Sequence, residues 1–243
     1  GTYSEQLAIT TEDISLVSTV GANETTITHD AGDAQETISV QAPGVTVDGF
    51  TIERTGVDDP GAAQVVAVRD TTGSSSNPVT ISNNDIDFST QAGAGEAFGV
   101  YVRDGTSGNL VQSGAGNNGG ATSTDVSNVI IENNEIAGLD SETYDTDGTQ
   151  FAAAVGIAND DDNGDNEISD ITVQNNNLSA NDRAVSIAEL GTADETPSDG
   201  IQNLEISNNE IENNVEGVYF NDFASSEVDV DQVTITENYF NSS

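Results

Sequence analysis

The sequence predicts an all-β solenoid of about seven rungs with three strands in each, and three observations predict it. An eight-residue phrase recurs as VTISNNDI (79 to 86), VIIENNEI (129 to 136), ITVQNNNL (171 to 178), LEISNNEI (204 to 211) and VTITENYF (233 to 240). Upstream of each copy lies an apolar run: VVAVRD (65 to 70), GVYVRD (99 to 104), AVGIAN (154 to 159), AVSIAE (184 to 189) and GVYFND (217 to 222). The starts of the phrase stand 50, 42, 33 and 29 residues apart, yet its first and last apolar residues are always 7 apart. One corner of the repeat is fixed and another accepts insertions, as in a solenoid whose loops leave from one edge.

QLAI, ISLV and TTI supply strands for a first rung, and ETISV (36 to 40) with VTVDGFTI (45 to 52) supplies the next, with Gly49 and Phe50 at the bend. In VTISNNDI, Val79 and Ile81 alternate with Thr80 and Ser82, the period of a strand with one buried face. Asn83 and Asn84 supply turn chemistry, because asparagine tolerates left-handed backbone and its amide satisfies local polar groups. Ile86 then returns to the interior. In the apolar runs the inward residues are Val66 and Val68, Val100 and Val102, Val155 and Ile157, Val185 and Ile187, and Val218 and Phe220. Stacked rungs bring Asn84, Asn134, Asn176 and Asn209 into a structural ladder. Rungs about 4.8 Å apart give a rod of roughly 34 Å. The stretches 105 to 128, 140 to 150, 159 to 170 and 190 to 203 are expected as loops. Residues 1 to 243 are expected to form a single domain, part of a longer or assembled protein.

The chain's 43 acidic residues face 4 arginines and no lysine, for a formal charge of −39. At about 0.1 M salt the Debye length is roughly 10 Å, and such a coat repels itself; in molar salt it falls to about 3 Å. The composition therefore points to a halophilic source. It also argues against nucleic-acid or anionic-lipid partners. With no cysteine the fold relies on packing alone. No apolar stretch is long enough to insert into a membrane.

The five phrases resemble the repeat of the right-handed parallel β-helix in the pectate-lyase-like superfamily, with three strands per coil, a short Asn-rich bend and long loops elsewhere. The opening GTYSEQLAITTEDISLVSTVGANETTI is similar to the first coil of carbohydrate-active β-helices. The resemblance implies the fold across nearly the whole chain and leaves function open, since the superfamily includes lyases, hydrolases, esterases, phage tailspikes and noncatalytic surface proteins. Pectate lyases use a calcium-binding acidic cluster and an arginine base. Glycosidases of this fold use paired carboxylates about 5 to 9.5 Å apart. The residues that invite comparison are Arg69 and Arg103, followed by Asp70 and Asp104, with Glu189 and Asp222 continuing one column. Acids are so abundant that offsetting local charge outweighs catalysis as their reading. The Asp-pair, Gly-His-Gly and Arg-x-Lys signatures of polygalacturonase-like enzymes do not occur, and the one histidine, His29, is expected on the surface in an early acidic turn.

Asp161, Asn163, Asp165 and Glu167 alternate in NDDDNGDNE and offer oxygen ligands to a hard cation such as Ca²⁺, although an acidic loop is more often simply solvated. DTDG (145 to 148) is a weaker candidate. Tyr101 and Tyr219 occupy equivalent outward positions, where they stack on sugars or, by the favoured reading, pack beneath an inserted loop. Asn23, Asn177 and Asn241 head N-x-[ST] sequons compatible with a glycosylated surface protein. No polar cap is expected at either end, so the ends should continue into flanking domains or pair with other copies. The leading expectation is a noncatalytic extracellular or cell-surface β-helix of a halophilic archaeon, a filament, surface-layer or adhesion component with glycans as further partners. The alternative is a polysaccharide lyase or hydrolase, or a virus tailspike, acting on acidic glycans.

Overall fold

A computed structural model describes residues 1–30, 36–55, 62–69, 71–88, 96–103, 125–138, 151–159, 167–189, 200–222 and 230–241. Their strands form three parallel sheets. Sheet I joins, in order, β1 (Thr2–Ser4), β4 (Thr26–Asp30), β7 (Thr51–Thr55), β10 (Asp85–Phe88), β13 (Glu135–Ala137), β16 (Asn177–Ser179), β19 (Glu210–Glu212) and β23 (Tyr239–Asn241). Sheet II joins β2 (Leu7–Ile9), β5 (Ile38–Val40), β8 (Ala62–Val68), β11 (Glu96–Arg103), β14 (Phe151–Asn159), β17 (Arg183–Glu189) and β20 (Glu216–Asp222). Sheet III joins β3 (Ser15–Val17), β6 (Thr46–Asp48), β9 (Val79–Ser82), β12 (Val126–Glu132), β15 (Ile168–Gln174), β18 (Ile201–Ser207) and β21 (Val230–Asp231), while β22 (Thr234–Thr236) also pairs with β18. The chain visits sheets II, III and I in turn and then begins again. This is an all-β architecture compatible with a parallel β-helix.

Register explains the periodicity of the sequence. Val40, Val68, Val102, Ile157, Ile187 and Phe220 are partners across successive strands of sheet II. Val47, Ile81, Ile131, Val173, Ile206 and Ile235 align in sheet III, and Ile27, Ile52, Ile86, Ile136, Leu178, Ile211 and Phe240 in sheet I. All of them except Phe220, Ile235 and Phe240 line one continuous apolar core. Each fully buried valine or isoleucine contributes roughly 1.5 to 3 kcal/mol before the entropy of ordering it. On the last described strands Phe220, Ile235 and Phe240 are exposed, and Val218 is half-buried. Among the expected inward residues, Phe220 is therefore corrected to an exposed one. It belongs to the last described strand of sheet II, and among the described residues no further strand pairs with that edge.

Single left-handed residues turn the corners. Between sheets III and I they are Gly49, Asn83, Asn133, Asn175, Asn208 and Glu237; between I and II, Gly138, Ala180 and Asn213. Between II and III, Asp13, Gly44, Asn128, Asp170, Asn203 and Gln232 take the same conformation. Proline cannot adopt positive φ, and before Val79 the chain instead makes a Ser74–Asn77 turn ahead of Pro78. The left-handed residues at 128, 170 and 203 lie inside β12, β15 and β18, so these strands begin upstream of the repeat phrase. The expected loops at 105 to 128, 159 to 170 and 190 to 203 accordingly end as strand, with Val126, Ile168 and Ile201 fully buried. A polar left-handed residue interrupts the alternation there and hides the strand start. His29 likewise lies within β4, opposite Arg54, and not in a turn.

Candidate functional site

The Asn-rich bend divides its two residues by role. Asn83, Asn133, Asn175 and Asn208 are exposed and left-handed, whereas Asn84, Asn134, Asn176 and Asn209 are buried. Each buried amide carries the ladder in both directions. Asn176 Oδ1 accepts from the backbone N–H and the Nδ2 of Asn134 at 2.9 and 3.1 Å, while its own Nδ2 donates to Ile131 O and Asn209 Oδ1 at 2.9 and 3.0 Å. The ladder starts at Phe50 N–H, which donates to Asn84 Oδ1, and extends to Asn238. A shorter ladder, Asn181 to Asn214, occupies the corner between sheets I and II. Asn238 follows left-handed Glu237 and Asn214 follows left-handed Asn213, the same order of left-handed residue and then hydrogen-bonded asparagine as in the main ladder. These asparagines are structural.

The column proposed on sheet II is only partly described. Asn159, Glu189 and Asp222 are in register on β14, β17 and β20, while Asp70 and Asp104 lie outside the described residues. Both arginines of the column face inward-packed surroundings. Arg69 forms an ion pair with Glu36 and donates to Ser39 Oγ at 3.0 Å. Arg103 is 1 % exposed. The Glu36 carboxylate and the Ser39 hydroxyl hold the Arg69 guanidinium in place.

The two other arginines are also internal. Arg54 donates from Nη1 to Gln64 O. Arg183 donates from Nε to Glu216 Oε2 at 2.8 Å and lies 3.7 Å above the Tyr219 ring, a geometry that gains from both charge and ring quadrupole. None of the four arginines stands free in solvent, so the acidic surface receives little neutralisation from them.

Tyr101 is corrected as a sugar platform: it is 2 % exposed and stacks on Phe98, with ring centroids 4.1 Å apart and planes 11° from parallel. Tyr219 is half-buried with Arg183 on its face. The stacked rings pass over Gly156, where an added Cβ would meet Phe98 Cδ1 at 2.4 Å and Tyr101 Cδ2 at 2.7 Å. Gly156→Ala is expected to displace both rings and cost about 1 to 3 kcal/mol in urea unfolding. A loss below about 0.5 kcal/mol would show that the rings yield freely.

Of the proposed calcium ligands, Asp161, Asn163 and Asp165 lie outside the described residues, as does 145 to 148. Glu167 is half-buried at the start of β15, its N–H bonded to Asp125 Oδ1 at 3.1 Å. No cluster of metal-binding side chains occurs among the described residues. Asn23 is exposed in the 3₁₀ turn Ala22–Glu24, and Asn241 is exposed and donates to Glu212 Oε1. Asn177 sits within β16 with its Oδ1 buried and without a hydrogen-bond partner.

On the outer face of sheet I acids lie in register: Asp85 beside Glu135, and Glu53 beside Asp87. Burial, with the carboxylates of Glu135 and Asp87, holds the Asp85 carboxyl above the ordinary aspartate value of 3.8. Among the described residues no helix is long and apolar enough to cross a membrane. Comparisons with protein-family models, curated proteins and solved structures found no match for this chain.

Proposed function

We propose that this chain is a right-handed parallel β-helix of about seven rungs that serves a halophile as a noncatalytic extracellular structural element, with copies stacked end to end. The observation that carries this reading is the single core register that three parallel sheets keep through every described strand. Phe220, Ile235 and Phe240 on the last described strands are exposed, as are Tyr239 and Val215, and so are Tyr3, Ile14, Val17 and Val20 near the first strands. Every strand pairing among the described residues is parallel, so the last strands of one copy and the first of another meet in the sense the sheets already use. Such an interface buries apolar surface and satisfies strand edges together. The internal use of the arginines supports a structural reading over a catalytic one.

Sedimentation velocity in molar salt tests this. Species longer than a monomer should grow with concentration, and the double substitution I235D/F240D should reduce them to monomer without altering the circular dichroism of the fold. Strictly monomeric protein at the highest attainable concentration would overturn the proposal.

A further inference from the structure

The three N-x-[ST] sequons lie in three different backbone settings. Asn23, Glu24 and Thr25 belong to the connection between β3 of sheet III and β4 of sheet I, with Asn23 at the centre of the 3₁₀ turn Ala22–Glu24. Backbone bonds pin this turn: Glu24 N–H donates to Gly21 O and Thr25 N–H to Ala22 O, each at 3.3 Å, and Thr51 Oγ1 donates to Ala22 O at 2.8 Å. Thr25 Oγ1 accepts from Ser18 Oγ at 2.8 Å, which leaves its own hydrogen available to donate. Asn23 and Glu24 are exposed, and among the described residues no hydrogen bond engages the Asn23 carboxamide.

Asn177, Leu178 and Ser179 are instead the whole of β16, an interior strand of sheet I paired along its length with β13 on one side and β19 on the other. Leu178 is fully buried, Asn177 Oδ1 is buried, and Glu135 and Glu210 flank Asn177 in register. Asn241 donates from Nδ2 to Glu212 Oε1 at 3.1 Å, and the rest of its sequon lies outside the described residues.

Glycosylation sets two demands on an acceptor asparagine. Its Nδ2 must reach the anomeric carbon of a sugar, and the residue two places on must offer its hydroxyl to the same transferase. The turn at Asn23 meets both without breaking a strand pairing. At β16 the ladder bonds to both neighbours must open and Leu178 must leave the core before a transferase can hold the three residues.

We propose that Asn23 is an acceptor for N-linked oligosaccharide and that Asn177, despite its sequon, is closed to it in the folded protein. In the transfer, Asn23 Nδ2 bonds to the anomeric carbon of a lipid-linked oligosaccharide as the bond from that carbon to the lipid phosphate breaks. The phosphate oxygen keeps the electron pair, Nδ2 gives up one proton to solvent, and nothing is oxidised or reduced. This adds a modification site to the structural role proposed above and does not depend on end-to-end stacking.

The test is transfer in molar salt to the purified, folded Asn241→Gln protein by a salt-tolerant oligosaccharyltransferase with its lipid-linked donor, read by peptide mass spectrometry. The peptides GANETTI and NNNLSAN serve as unfolded references, and both should be modified. In the folded protein Asn23 should be modified, and Asn177 at least about tenfold less, because access to it waits on the opening of β16. Thr25→Ala should abolish transfer to Asn23 and Thr25→Ser should retain it, with circular dichroism confirming that each variant folds. Asn23→Gln, which touches none of the turn's bonds, should remove the glycosylated product. The proposal is overturned if GANETTI is modified and Asn23 of the folded protein is not, or if Asn177 in the folded protein is modified as readily as Asn23.

Discussion

Replacing Asn176 with alanine is expected to lower the free energy of unfolding by about 3 to 5 kcal/mol, an effect far larger than a polar substitution at a surface bend would produce. The Asn176 amide makes four hydrogen bonds at a position 2 % exposed. Truncation leaves the backbone N–H of Asn134 and one hydrogen of its amide without an acceptor, where water cannot reach them. Each orphaned group costs about 1 to 3 kcal/mol, whereas a bond lost to solvent costs about 1. The neighbouring bend residue gives the contrast. Asn175→Ala removes no ladder bond and pays only for an alanine in left-handed backbone, about 1 to 2 kcal/mol. Asn238→Ala, half-buried at the open end, should cost about 1 kcal/mol. Urea unfolding of the three variants in molar salt measures the order. Equal effects at 175 and 176 would mean that the bend, and not the ladder, holds the coils in register.

The same pair of residues shows how far the fold was legible in the sequence. Seven-residue spacing and period-two alternation located nearly every strand of sheets I and III, because an inward aliphatic must stack on its counterpart in the next coil and cannot drift. Val126, Ile168 and Ile201 escaped because the residue two places on is left-handed, and a local break in alternation reads as loop. The buried ladder was legible at four asparagines; Asn238 and the second ladder at Asn181 and Asn214 were not, since one copy of a pattern carries little signal without its neighbours. The arginine column was legible as an alignment but not as chemistry. Sequence places Arg69 and Arg103 side by side, yet only coordinates show Glu36 against one and the burial of the other. At Tyr101 the sequence left packing and sugar stacking open, because outward on a strand is not outward from the molecule once Phe98 stacks on it.

Dialysis from molar to low ionic strength is expected to unfold the protein. The formal charge is −39, and the four arginines that offset part of it are inside, with two of them committed to Glu36 and Glu216. Carboxylates such as Asp85 and Glu135 or Glu53 and Asp87 are carried by register partners on strands about 4.8 Å apart, which limits how far they can separate while the fold persists. Two unit charges at about 4 Å repel by about 1 kcal/mol even in bulk water, and at Asp85 the Glu135 and Asp87 carboxylates add to burial, the larger cause, in raising the carboxyl above its ordinary value. At about 1 M salt the Debye length of roughly 3 Å lies inside the strand spacing; at about 0.01 M, roughly 30 Å covers several strand spacings. A total stability of about 5 to 15 kcal/mol cannot absorb the accumulated cost of many such pairs. The β-sheet signal in far-ultraviolet circular dichroism should therefore collapse as salt is withdrawn and return when it is restored. Sucrose also favours compact states but screens nothing, so it should rescue the fold far less than potassium chloride. Full structure retained at low ionic strength would show that the acidic coat is spread widely enough to tolerate its own field, and equal rescue by sucrose would assign the salt effect to exclusion from the surface and not to screening.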